Sequence, residues 1–183
     1  IFYLINIRPG QKRFLSGIFC YGRLPKKEVW LFMKHYSIFL PSYTIGTDAY
    51  EEMGVICRPY GTQAVVIGGK RAMEAAREEL TAAAAKGAIQ ILDFVWFGGE
   101  CSFKNVEALE NNPKVREAEL LFAVGGGKAT DTVKALGEKT GKPVFAFPTI
   151  ASNCSPCTSV SIMYNEDGSF LKPWFFRKPP AHT

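Results

Sequence analysis

From Pro41 onward the chain alternates short apolar runs with apolar stripes at helical spacing. Ser42–Ile45 predicts a short strand, and Thr47 or Asp48 can cap a helix reaching about Pro59. Ala64–Ile67 is a continuous apolar run entering Gly68-Gly69, which predicts a buried strand closed by a turn. Met73, Ala76, Leu80 and Ala84 fall on one face of the helix that follows, and Gly87 ends it. Ile89–Phe97 reads as the next strand, with Gly98-Gly99 behind it. Ser102 caps a helix expected to turn Phe103, Val106 and Leu109 inward and to stop near Asn112-Pro113. Glu119–Val124 is a strand leading into Gly125-Gly126-Gly127. The helix after those glycines buries Ala129, Val133 and Leu136, then ends at Gly141 ahead of Pro143. Val144–Phe147 is a further strand. Thr158–Tyr164 alternates and turns through Asn165–Gly168 into Phe170–Phe176, a hairpin.

Strands alternating with helices of this length imply βαβ units. The fold class expected is α/β, a mostly parallel sheet with flanking helices. Ligands on such sheets bind beyond the carboxyl ends of the strands. The glycine turns after residues 67, 97 and 124, and the loop after Phe147, lie at that edge. Residues 1–32 differ: they are basic and aromatic and keep no sustained period. Met33 stands just ahead of the regular part, and Lys27-Glu28-Val29 can be encoded by a bacterial ribosome-binding sequence. Residues 1–32 are therefore expected to be a disordered leader or upstream translation. Residues 33–183 are expected to form the folded domain.

Charge changes this picture little. The chain carries a formal +5, but residues 1–32 hold six basic side chains and one acid, and the remainder is balanced. No basic footprint for nucleic acid is left beyond residue 32. No apolar stretch reaches the roughly 18 residues of a membrane span. Five scattered cysteines do not form a secreted disulfide framework, which points to a reducing, cytoplasmic setting.

The candidate chemistry centres on Gly125-Gly126-Gly127-Lys128-Ala129-Thr130-Asp131. Glycines at a strand-to-helix turn let a ligand approach the backbone, and the helix start offers free N–H groups and a positive dipole end. That suits a phosphate or pyrophosphate. The same glycines also fit a tight turn with no ligand. Neither the Walker A spacing nor G-x-G-x-x-G is present. Asp131, on the first helical turn, can bond ligand hydroxyls or the loop backbone. Cys154 and Cys157 have C-x-x-C spacing, open to redox chemistry or to half of a zinc site, although Pro156 and a strand-like run follow them. Cys20, Cys57 and Cys101 read as ordinary thiols, and His35 and His182 as incidental. Glu100 is expected to cap or orient the loop after Gly99.

Four stretches together resemble the glycerol dehydrogenase branch of the iron-containing (group III) alcohol dehydrogenase family. They are Val65–Lys70, Phe97–Ser102, Gly125–Thr132 and Pro148–Pro156, in matching order and spacing from about Pro41 to His182. The resemblance implies a Rossmann-like N-terminal domain of the dehydroquinate-synthase type, with a helical C-terminal domain missing after Thr183. It implies NAD or NADP as cofactor, with Gly69, Gly126, Gly127, Lys128, Ala129, Thr130 and Asp131 at the adenosine and pyrophosphate side. Thr149, Ile150, Ala151 and Ser152 would continue the site, and Thr158, Val160 and Tyr164 would form its far wall. Gly69 replaces an acid that NAD-using relatives place near the ribose, which weakens discrimination against NADP. Cys154 replaces a substrate-side aspartate, and a thiol cannot accept polyol hydroxyls as a carboxylate does.

The resemblance further implies metal-assisted oxidation of an alcohol or polyol, or reduction of the carbonyl, by an enzyme that forms homo-oligomers. Zinc or iron would be held by ligands beyond Thr183, so this chain is expected to supply the cofactor half, to bind no metal and to be inactive alone. The alternative is a stand-alone nucleotide-binding regulatory module. A synthase or lyase of the dehydroquinate-synthase type shares the same half, but Gly98–Ser102 favours the dehydrogenase.

Overall fold

The computed structural model describes residues 41–183; the expected leader 1–32, the start at Met33, His35 and Cys20 lie outside the described residues. Helix α1 (Met53–Cys57) follows a 3-10 turn at Ala49–Glu52. Then come β1 (Gln63–Gly68), α2 (Lys70–Lys86), β2 (Gln90–Trp96), α3 (Phe103–Glu110) and α4 (Pro113–Glu117). After these run β3 (Leu120–Gly125), α5 (Gly127–Thr140) and β4 (Val144–Pro148), and finally the hairpin β5 (Val160–Tyr164) and β6 (Phe170–Phe175).

Four parallel strands make one sheet in the order β2-β1-β3-β4. The apolar run of β1 is divided by its pleat. Val65 and Ile67 pack with Leu121, Ala123, Val106, Val133 and Leu136 on one face. Ala64 and Val66 pack with Leu120, Phe122, Met73, Leu80 and Met53 on the other. Both faces are covered by helices, as a parallel sheet requires. The α/β class with a parallel sheet and flanking helices is therefore what the structure has, and the hairpin is paired antiparallel as the alternation predicts.

Two local expectations are corrected and a third is extended. Ser42–Ile45 is no strand: Ser42 makes a single bridge to His182, which in turn bridges Phe145 at the β4 edge. The pairing partner lies some 140 residues along, where local pattern cannot see it. Phe103 is 40% exposed rather than core, and its ring meets that of Trp174 in a tilted contact, with centroids 5.3 Å apart. Asn112-Pro113 stops α3 but also starts α4, because the Asn112 side chain accepts from the N–H of Lys114 at 2.8 Å and Pro113 opens the first turn.

Candidate functional site

The sheet order changes direction between β1 and β3, since β1 leads outward to β2 and β3 leads the other way to β4. A crevice at such a switch point is where open α/β sheets bind ligands. The turns closing β1 and β3 flank it. Gly69 donates its N–H to Val124 O at 3.3 Å, and a Cβ placed on Gly125 would sit 3.7 Å from Gly69 N. Gly69 opens α2 with no side-chain cap, and a Cβ on it would meet only the Ala72 Cβ, at 4.0 Å.

Gly125 lies at φ +145°, where a side chain is strained. Its two successors are different. Gly126 sits at φ −86° and ψ −169°, ordinary extended backbone, and Gly127 is the first helical residue. A Cβ on Gly127 would meet nothing closer than Asn153 at 3.6 Å, and one on Gly126 would meet only the flexible tip of Ile150 at 3.2 Å. The fold itself does not demand glycine at either position. What their lack of side chains leaves is space directly over the start of α5.

That helix start is uncapped by any side chain. The Thr130 N–H is the first to bond back, to Gly126 O at 3.0 Å, so the amides of Gly127, Lys128 and Ala129 precede the helical ladder. Beside them the Asn153 Nδ2 is buried without a hydrogen-bond partner among the described residues, while its Oδ1 accepts from Ser155 N at 3.0 Å. Free donors, a positive helix end and a cradle that Cβ atoms would fill are the fittings of an anion such as a pyrophosphate. Thr149 is tied to this turn through its N–H to Gly125 O at 3.2 Å, and half-exposed Ile150 stands over Gly126. Ala151 and Ser152 are exposed on the same loop.

The side chains of Thr130 and Asp131 already have hydrogen-bond partners within the protein. The Thr130 hydroxyl donates to Gly126 O at 3.1 Å. Asp131 is buried; it accepts from the Ser155 hydroxyl and from Ile162 N at 3.0 Å, and it pairs with Lys134 at 2.9 Å. Its carboxylate is engaged by the turn at Ser155 and by the hairpin at Ile162. Lys134 is the residue that sequence reasoning missed. Its ammonium donates to the carbonyls of Ser155 (2.8 Å), Thr158 (3.2 Å) and Val160 (2.5 Å). Burial pulls this amine below the ordinary lysine range, and the Asp131 charge opposes that. The Asp131–Lys134 spacing beside an apolar stripe was the available signal. The pair clasps the segment 155–162 onto α5, and Thr158 and Val160 enter through their carbonyls.

A second group lies at the other lip. Lys128 pairs with Glu100 at 2.5 Å and stands 5.9 Å over the Tyr164 ring. Glu100 also accepts from Cys101 N at 3.1 Å, so it does orient the loop after Gly99. Cys154 is exposed beside Asn153, and Cys57 and Cys101 are buried as expected. His182 is structural: its two ring nitrogens meet the hydroxyls of Ser42 (2.7 Å) and Thr44 (2.9 Å). Among the described residues no three His, Cys, Asp or Glu side chains converge as a metal site.

A doubly covered parallel sheet, with an uncapped helix start at its switch point, defines a Rossmann-like α/β domain. The model of the iron-containing alcohol dehydrogenase family matches residues 41–179, and the chain belongs to that family. A glycerol dehydrogenase of Escherichia coli O6:H1 is 32% identical over 128 residues, covering 70% of this chain and 35% of that protein. A hydroxycarboxylate dehydrogenase A of Escherichia coli K12 is 40% identical over 111 residues, 60% of this chain and 29% of its own. The solved glycerol dehydrogenase of Schizosaccharomyces pombe superposes with a TM-score of 0.71 at 25% identity, over 82% of this chain and 38% of that one. The chain thus spans little more than a third of the length of such relatives.

Proposed function

We propose that this chain forms the nucleotide-cofactor half of an NAD(P)-dependent alcohol or polyol dehydrogenase. The observation that carries the reading is the start of α5, where two glycines the fold does not need leave room over three free amides. The backbone of Gly126, Gly127, Lys128 and Ala129 would hold the pyrophosphate, with the Asn153 amide as a further donor. Thr149, Ile150, Ala151 and Ser152 would continue the site along the loop. Thr130 and Asp131 act indirectly, by fixing the turn and the hairpin. Thr158, Val160 and Tyr164 form the wall on the nicotinamide side.

NAD(P), when bound, supplies the hydride acceptor for oxidation of an alcohol. This chain's part is to bind and orient it. Gly69 leaves no carboxylate to repel a 2′-phosphate, so NADH and NADPH should bind with little preference. Cys154 in place of an aspartate removes an acceptor for polyol hydroxyls, which argues against glycerol itself as substrate. The zinc or iron of such enzymes would need ligands other than those described, and turnover by this chain alone is not expected. Homo-oligomers and a cytoplasmic setting accompany the same reading.

Titration of the chain with NADH and NADPH, followed by cofactor fluorescence, tests the proposal. The Cβ of Gly127→Val stands in ordinary contact, 3.6 Å from Asn153, and its branches fill the cradle. The substitution should weaken binding at least ~10-fold, the equivalent of one charge-assisted hydrogen bond. Equal binding by the two proteins would remove the cradle from the account.

A further inference from the structure

Cys154 and Cys157 are the two described thiols that are not buried. They bracket one 3-10 turn, Ser155–Cys157, in which the Cys157 N–H donates to Cys154 O at 2.9 Å. A turn closed by such a bond holds its end Cα atoms within about 7 Å. A disulfide needs roughly 4.4–6.8 Å, so the turn brings the two residues to about the span of a bridge. The turn is braced on both sides. Lys134 holds Ser155 O at 2.8 Å, and the Thr183 hydroxyl donates to Pro156 O at 2.8 Å. The other described cysteines, Cys57 and Cys101, are buried, and burial pushes each thiol up to about 12.

We infer that Cys154 and Cys157 form a reversible dithiol–disulfide site at the lip of the α5 cradle, oxidised by small-molecule disulfides of the glutathione class. The exposed Cys154 thiolate attacks one sulfur of the oxidant, forming a mixed disulfide and expelling one thiolate. The half-buried Cys157 thiolate then attacks the Cys154 sulfur, closing the ring and expelling the second thiolate. The protein loses two electrons and two protons, and the disulfide becomes two thiols. The site differs from a thioredoxin-type pair, which opens a long helix. Here a single turn is followed by β5, and the brace of the turn provides the proximity. The same turn carries Ser155, whose hydroxyl meets Asp131 and lies 3.4 Å from Gly127 O. Redox state and cradle therefore share one piece of backbone.

The test is equilibration of the full chain in glutathione redox buffers, followed by acid quench, alkylation and peptide mass analysis. The peptide containing both cysteines should lose two hydrogens as the buffer becomes oxidising, along a two-electron titration curve. Cys157→Ser should halt at a stable glutathione adduct on Cys154, and Cys154→Ser should react at least ~10-fold more slowly because Cys157 is less accessible. A wild-type chain that accumulates the adduct on Cys154 without closing, or that pairs either residue with Cys20, would overturn the inference. Folding of each variant is checked by circular dichroism. NADH titration of the reduced sample reads the nucleotide proposal separately, because the disulfide chemistry requires no bound nucleotide.

Discussion

Helices α3 and α5 begin alike in sequence and differently in space. Each follows a strand and a run of glycines at the same edge of the sheet. At α3 the glycines serve the chain: Gly98 lies at φ +99° and Gly99 at +94°, and a Cβ on Gly98 would come within 2.3 Å of Asn105. The helix then caps itself, with the Ser102 hydroxyl accepting from Asn105 N at 3.2 Å. At α5 only Gly125 has a positive φ, the next two glycines have ordinary backbone, and no side chain caps the helix. One turn completes its own hydrogen bonds; the other leaves them open. The inner faces differ as well. α3 buries Val106 and Leu109, whereas α5 adds Asp131 and Lys134 to its apolar stripe. A glycine pair therefore says little by itself, and the distinction lies in whether the backbone requires it.

The inner-face difference should have the largest effect. Lys134→Met removes the ammonium and strands a buried Asp131 carboxylate, a loss of about 3–5 kcal/mol in unfolding free energy. Val106→Met at the corresponding face of α3 should cost about 1–3 kcal/mol, as overpacking usually does. Denaturant midpoints of the two variants measure the contrast, and a Lys134→Met loss no larger than that of Val106→Met would show that the clasp is not a strong one. Next comes Gly98→Ala, which forces positive φ on a side chain and displaces Asn105. About 3 kcal/mol is expected, near the upper end for one strained residue. Gly127→Ala should leave stability within ~1 kcal/mol, since a helical glycine gains from a Cβ.

Most of the scaffold was legible because its signals are local. The runs at 64–67 and 120–124, the stripe through Met73, Leu80 and Ala84, and the Gly141 stop each depend on neighbours within a few positions. Gly141 does take the left-handed conformation, φ +73°, of a helix C-cap. What stayed hidden depends on distant partners. Lys134 looks like one more solvated helix lysine until the carbonyls of residues 155–160 fold over it. Asp131 reads as an acid for ligand hydroxyls or the loop backbone, and only the fold shows that Ser155 and Ile162 bond to it. The edge bridge of Ser42 and the second helix at Pro113 escaped for similar reasons, a remote strand in one case and a shared stop-and-start signal in the other. The candidate site was legible in its glycines and not in its supports.

Interchanging the two helix starts gives intermediate effects. Gly126→Asp places a capping carboxylate where backbone angles already suit one, so stability should rise by a few tenths of a kcal/mol. The same carboxylate would occupy the free amides and repel phosphate, lowering NADH affinity ~10-fold or more. Ser102→Ala should do the reverse: about 1 kcal/mol less stable, with NADH affinity unchanged. If Gly126→Asp binds NADH as the parent does, the open start of α5 is not where the nucleotide sits.

The smallest effect should come from the Lys128–Glu100 ion pair that joins the two turns. Lys128 pairs with Glu100 at 2.5 Å, yet its side chain is 58% exposed. An exposed pair contributes about 0–1 kcal/mol and is screened by salt. Lys128→Met should therefore cost no more than ~0.5 kcal/mol, and the cost should fall further in molar salt. The hydrogen bond from Lys128 to Glu100 holds the ammonium above the ordinary 10.5 of lysine. A base whose folded value is raised contributes fully below its unfolded value and loses that contribution as pH rises through the folded one. The stability difference between parent and Lys128→Met should then be flat from neutral pH to about 9 and vanish only above 10.5. A loss above ~2 kcal/mol, or a difference that titrates near neutrality, would mean that the turns are coupled through Lys128 and that the α5 start is less independent of α3 than its geometry implies.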